Sequence, residues 1–149
     1  MPYRIILSLL LLAATQVAQA DSHDWIATST TAMAITGDIS VEDDRIVFQN
    51  GAALELGALG PDRPGLYRVS SSQNPVLLNG NRLCGDKPPA FVALAHSETS
   101  DSLAKSQSLH LKVFDGAEEP PATVTKGMDT DSPGFCALFN YERAGSSQD

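Results

Sequence analysis

Apolar and polar residues alternate along most of the chain, and clusters of Gly, Pro, Asn and Asp break the alternation every ~8–12 residues, a pattern of short antiparallel strands. Ile39 and Val41 begin one strand, Glu42-Asp43-Asp44 turns the chain, and Ile46 and Phe48 begin the next. Gln49-Asn50-Gly51 follows, then Ala52, Leu54 and Leu56. The register at this turn can be argued. A two-residue Asn50-Gly51 loop would set Ile46 opposite Glu55 and place a carboxylate on the apolar face. A three-residue loop with Gly51 left-handed pairs Phe48 with Ala52 and Ile46 with Leu54, and is the expected form.

Further on, Gly60-Pro61 to Pro64-Gly65 is a turn, and Leu66 to Val69 is a strand. Asn74-Pro75 and Asn79-Gly80 bracket a short apolar piece, Val76 to Leu78. Phe91 to Ala95 is almost continuously apolar, as a centrally placed strand would be. The polar, Ser-rich stretch from Ser97 to Ser108 reads as a loop, with at most a helical turn around Leu103. Leu109, Leu111 and Val113 then share one face of a strand, leaving His110, Lys112 and Phe114 on a face expected to be solvated. Glu118-Glu119-Pro120-Pro121 must be loop or edge, because adjacent prolines lack ladder donors. The last strand, Phe135 to Tyr141, puts Phe135, Ala137, Phe139 and Tyr141 on one face and Cys136, Leu138 and Asn140 on the other. The predicted fold is all-β, a single antiparallel β-sandwich or small β-barrel of about 7–9 short strands. Helix signals are nearly absent.

The first twenty residues carry a different signal. A short n-region with Arg4, an apolar run from Ile5 to Ala14 and the small-x-small triplet Ala18-Gln19-Ala20 read as a secretory signal peptide. The expected organisation is a signal peptide over 1–20, an exported β domain over 21–143 and a frayed tail over 144–149. The apolar run is about half the ~20 residues a spanning helix needs, so no membrane anchor is expected. No Asn lies in an N-x-Ser/Thr acceptor, which favours a bacterial periplasm or exterior.

Export changes how the two cysteines are read. In an oxidising compartment Cys84 and Cys136 should pair, and closing the loop between them restricts the unfolded chain by about 4 kcal/mol. Loss of Arg4 with the leader leaves nine Lys and Arg against eighteen Asp and Glu, a formal charge of −9. Nucleic acid is therefore excluded as a partner, for want of any basic patch. An acidic surface keeps a protein soluble and would also steer it toward a cationic protein.

Candidate chemistry is sparse. Cleavage after Ala20 would expose Asp21-Ser22-His23, whose amine, two amides and imidazole can offer four coplanar nitrogens to Cu(II) or Ni(II). No other cofactor is expected. His96 and His110 read as satisfied or exposed histidines. Asp129-Thr130-Asp131 followed by Gly134 opens like a calcium loop but fails at Pro133 and Asn140. No G-x-S-x-G elbow, H-E-x-x-H pair or phosphate-cradling glycine loop occurs, so catalysis is not expected, although a hydrolytic site assembled only by folding is an alternative. The segment from Leu77 to Gly85 packs two turn signals and a disulfide cysteine into one rigid corner, and Asn81, Arg82 and Lys87 there make a candidate partner-binding surface. The acidic, stapled, β-rich profile is similar to that of small periplasmic inhibitors of cell-wall hydrolases. The Ser-Gly-x-x-Tyr loop of one lysozyme-inhibitor family does not occur. The expected function is a protein-binding or inhibitory module, with a small-ligand or metal binder as the alternative.

Overall fold

The computed structural model describes residues 24–101, 104–127 and 130–145. Eight antiparallel strands close into a barrel in sequence order: β1 (Trp25–Ala27), β2 (Ile39–Val41), β3 (Arg45–Phe48), β4 (Ala53–Ala58), β5 (Leu66–Val69), β6 (Phe91–Asp101), β7 (Ala104–Phe114) and β8 (Phe135–Arg143). The seam is β1 against β8, with Trp25 opposite Arg143 and Ala27 opposite Tyr141. Of the two architectures the alternation allows, the barrel is the one formed. Closure leaves no free sheet edge around the strand ring.

The β3–β4 connection has the expected register. Ile46 pairs with Leu54, the Phe48 N–H donates to the Ala52 carbonyl at 2.8 Å, and Gly51 is left-handed at φ 85°. With that register Ile46, Phe48, Leu54 and Leu56 all point inward and are buried. From the other strands come Ile39, Val69, Val92, Leu94, Leu109, Leu111, Val113, Phe139 and Tyr141. An eight-stranded barrel is about wide enough for side chains to fill it. Here they do.

One end of the barrel is covered by chain. We term it the helix end. A short helix, α1 (Thr30–Ile35), lies between β1 and β2. The sequence reading did not anticipate it, because six residues show no helical period and isolated helices of this length do not form in water. Its support is local capping and tertiary contact. The Ser29 hydroxyl accepts from the Ala32 N–H at 3.2 Å, and the N–H of left-handed Gly37 returns to the Ala32 carbonyl at 2.8 Å. Ala32 and Thr36 are buried. The Thr36 hydroxyl meets the Tyr141 hydroxyl at 2.6 Å, which ties the helix to the barrel interior. Burial pushes the Tyr141 phenol well above its ordinary value, with the Thr36 bond opposing and Asp38 adding to the rise.

Three sequence expectations are corrected. First, Ser97 to Ser108 is a strand pair for most of its length: β6 and β7 run on past the ring as a two-stranded ribbon, with Ser97 opposite Ser108 and Asp101 opposite Ala104. A run of Ser and Thr suits a strand as readily as a loop, so polarity does not separate the two. Leu103 lies outside the described residues. Second, the outer face of β7 is covered from Lys112 to Phe114. Phe114 packs with Leu66, Phe91, Ala93 and Val124 in a second cluster outside the barrel, covered by the 115–134 connection. Lys112 is buried beneath the same strap, donating to the carbonyls of Val124 and Gly127, each at 2.9 Å. Third, Phe135 does not share a face with Ala137. The register shifts between Val113 and Phe114, so Val113 faces Ala137 while Phe114 faces Phe135. Cys136 is the extra residue of that bulge, which turns Phe135 outward onto Phe114.

Candidate functional site

The interior is lined by buried apolar side chains, and the charged groups stand on the outside of the barrel. The disulfide between Cys84 and Cys136 forms, with a Cα–Cα distance of 5.5 Å. It ties the 70–90 connection to the start of β8 at the helix end. There Leu77 and Leu83 reach into the core beside α1. Of the expected contact residues on this loop, Asn81 is committed internally. Its amide donates to the Ala34 carbonyl at 3.3 Å, alongside Asn79 at 3.1 Å, and its own carbonyl receives the Leu77 N–H at 2.7 Å. These amides cap the open carbonyl end of α1. Arg82 is exposed and donates to the Asn74 carbonyl at 2.7 Å, and Lys87 is exposed. The corner is a lid held by hydrogen bonds, with Arg82 and Lys87 exposed on it and Asn81 half-buried beside them.

The opposite end, which we term the ribbon end, has different chemistry. The indole of Trp25 closes the core there, with the His96 ring at 5.6 Å between centroids and the Arg143 guanidinium carbon 5.3 Å from the Trp25 ring. His96 is held below the ordinary histidine value, first by burial and then by Arg143. Around this plug the topology gathers carboxylates that are scattered in sequence. Glu42, Asp43 and Asp44 form the β2–β3 turn, Asp62 lies in the β4–β5 connection, Glu98 stands on the ribbon, and Asp24 and Glu142 flank the seam. All are exposed. Two of the nearby cations are engaged by glutamates: Arg45 pairs with Glu42 at 2.6 Å, and Arg63 pairs with Glu119.

Comparison with protein-family models, with curated proteins and with solved structures finds no match.

His110 belongs to a row across three strands on the outer wall. Its Nδ1 lies 2.8 Å from Asn140 Oδ1, and Ser97 Oγ lies 3.5 Å from its Nε2. With Asn140 Oδ1 as acceptor, Nδ1 carries the proton and Nε2 turns toward the serine. The row orients the ring on an open face, where Ser97 is exposed to water. Asp21, Ser22 and His23, the expected metal ligands, lie outside the described residues, as does Asp129. Among the described residues no three His, Cys, Asp or Glu side chains converge to hold a metal, and no helix is long and apolar enough to cross a membrane. The ribbon-end rim escaped the sequence reading because Glu42-Asp43-Asp44 alone looks like an ordinary solvated hairpin tip. Only barrel closure brings Asp62, Glu98 and Asp24 to the same end.

Proposed function

We propose that the chain is an exported binding module whose ribbon-end rim receives a cationic protein. The observation that carries this reading is the pairing of a barrel lined by buried apolar side chains with a rim on which carboxylates from separate connections collect. Like charges concentrated on one end steer a basic partner to that end. A disulfide suits an oxidising compartment, which agrees with the signal-peptide reading of residues 1–20. Arg82 and Lys87 stand at the other end, so a partner on the rim does not meet them.

The test places a photo-crosslinking residue at Asp43 on the rim and, separately, at Asp38 near α1, and expresses each chain in its own host. The reading expects an adduct with a basic protein from position 43 that diminishes as salt rises and as Glu42, Asp44 and Asp62 are replaced by their amides. Equal adducts from both positions, or an adduct indifferent to salt and to the amide replacements, would overturn it.

A further inference from the structure

Away from the rim, on the outer wall toward the helix end, three chain segments enclose an open cleft of about 340 Å³. The end of β5 contributes Arg68, both ends of the disulfide-held 70–90 connection contribute Ser71, Ser72, Pro88 and Pro89, and the start of the strap contributes Asp115. This volume is at the small end of the range for sites that bind small molecules.

Each wall is fixed by contacts already made. The Arg68 guanidinium carbon sits 4.7 Å from the centroid of the Phe91 ring, so one flat face is clamped by an aromatic. Its link to Glu119 is long, 3.4 Å, and the other oxygen of that carboxylate is taken by Arg63. One glutamate thus faces two arginines, and the pair retains positive charge. A guanidinium held in this way presents a planar fork suited to a carboxylate. Asp115 is anchored through its backbone N–H to the Gly134 carbonyl at 2.9 Å, and Gly116 packs so closely on Gly134 that an added Cβ would lie 3.2 Å from its Cα. Pro88 and Pro89 form a rigid apolar wall.

Ser71 supplies an independent observation. It is a non-glycine residue in the left-handed region, at φ 53°. The surrounding turn over-determines it: the Ser70 N–H donates to the Glu55 carbonyl at 2.9 Å, the Glu55 N–H donates to Gln73 Oε1 at 2.9 Å, and the Ser71 hydroxyl bonds the Ser70 carbonyl at 2.7 Å. Strain of this kind persists only where neighbours enforce it, and it collects at ligand sites.

A bare anion entering the cleft would meet Asp115, and a bare cation would meet Arg68. A ligand bearing both charges satisfies both walls. We infer that the cleft binds a zwitterionic amino acid or short peptide, with its carboxylate on the Arg68 fork, its ammonium toward Asp115 and an aliphatic side chain against Pro88 and Pro89. This site is separate from the rim and does not depend on the reading of the rim.

The test titrates the processed, oxidised protein with leucine, leucyl-leucine, N-acetyl-leucine, leucine amide and inorganic phosphate, following backbone amide shifts by NMR. The expected result is saturable shifts at residues 68–72, 88–90 and 115–117 with leucine or the dipeptide. Each capped analogue should bind about tenfold more weakly, the loss of one charge-assisted contact. Arg68→Gln should erase the difference between leucine and its amide, and Asp115→Asn the difference between leucine and its N-acetyl form. Both side chains lie at the surface of the cleft, and a thermal melt checks that each variant is folded. Equal binding of free and capped forms, stronger binding of phosphate, discrimination that survives both substitutions, or no localised shifts with any ligand would each overturn the assignment.

Discussion

Removing the disulfide separates the contribution of the lid from that of the barrel. Cys84 and Cys136 are 52 residues apart, and a cross-link closing such a loop lowers the entropy of the unfolded chain by an amount worth about 4 kcal/mol at 25 °C. Both residues also pack against the interior cluster, so truncation to alanine adds up to about 1 kcal/mol of lost contact. The double variant Cys84→Ala/Cys136→Ala should therefore lose about 4–5 kcal/mol in guanidinium unfolding at pH 7. For a domain of this size that corresponds to a fall in Tm of about 15 °C. All eight strand pairings are made without the cross-link, so the barrel itself should survive. Hydrogen exchange should show β6 to β8 losing protection by about the same 4–5 kcal/mol, while residues 70–90, where Asn79 and Asn81 hold α1, fall below them through local opening. A loss below about 1 kcal/mol would mean that the unfolded chain is already compact across this loop. Protection over residues 70–90 that stays level with β6 to β8 would refute the view that the cross-link also secures a lid.

Gly65 is left-handed at φ 77°, and an added Cβ would lie 2.6 Å from the Leu94 carbonyl oxygen, a backbone atom with no freedom to retreat. Gly65→Ala should cost more than about 2 kcal/mol, and a cost within error of zero in urea unfolding would contradict the packing of the β4–β5 connection on β6. Tyr141 is held neutral in the folded chain, so as pH rises the unfolded chain releases that proton first and stability falls from about pH 10 upward. Tyr141→Phe should cost about 1 kcal/mol at pH 7 and flatten the alkaline limb of the Tm profile, whereas an unchanged limb would assign the effect elsewhere. If cleavage after Ala20 exposes Asp21, a Cu(II) ion held by Asp21, Ser22 and His23 would lie two residues in sequence from Trp25, the one tryptophan in the chain. Stoichiometric Cu(II) should then quench Trp25 fluorescence, and quenching that persists in His23→Ala would dispose of that site.

The fold was legible wherever side-chain alternation had one buried face. Ile46, Phe48, Leu54 and Leu56 fixed both strand and register through the geometry of a single turn. It was illegible where burial came from outside the strand. Nothing in the sequence around Lys112 tells that residues 115–134 fold back across it, and a lysine in a strand reads as solvent-facing until its cover is known. The ribbon failed for the opposite reason: Ser97 to Ser108 carries no apolar alternation, so no period separates strand from loop. Cys136 concealed a bulge, because a one-residue register shift leaves no compositional mark. For the candidate sites, the disulfide followed from compartment and count. The cleft did not, since Arg68, Pro88 and Asp115 meet only after the barrel has closed.

The seam has a consequence for how the chain could be rewired. The Ala144 N–H donates to the Asp24 carbonyl at 2.8 Å, so the outgoing and incoming ends of the ring lie side by side. Every other neighbouring pair of strands is consecutive in sequence, and β1–β8 alone bears the entropy of closing almost the whole chain. A short peptide joining residue 145 to residue 24, with new termini opened in the Glu42-Asp43-Asp44 turn, would make a circular permutant with the same ring of strands. In it the long-range closure moves to β2–β3, and the slowest folding step should move with it.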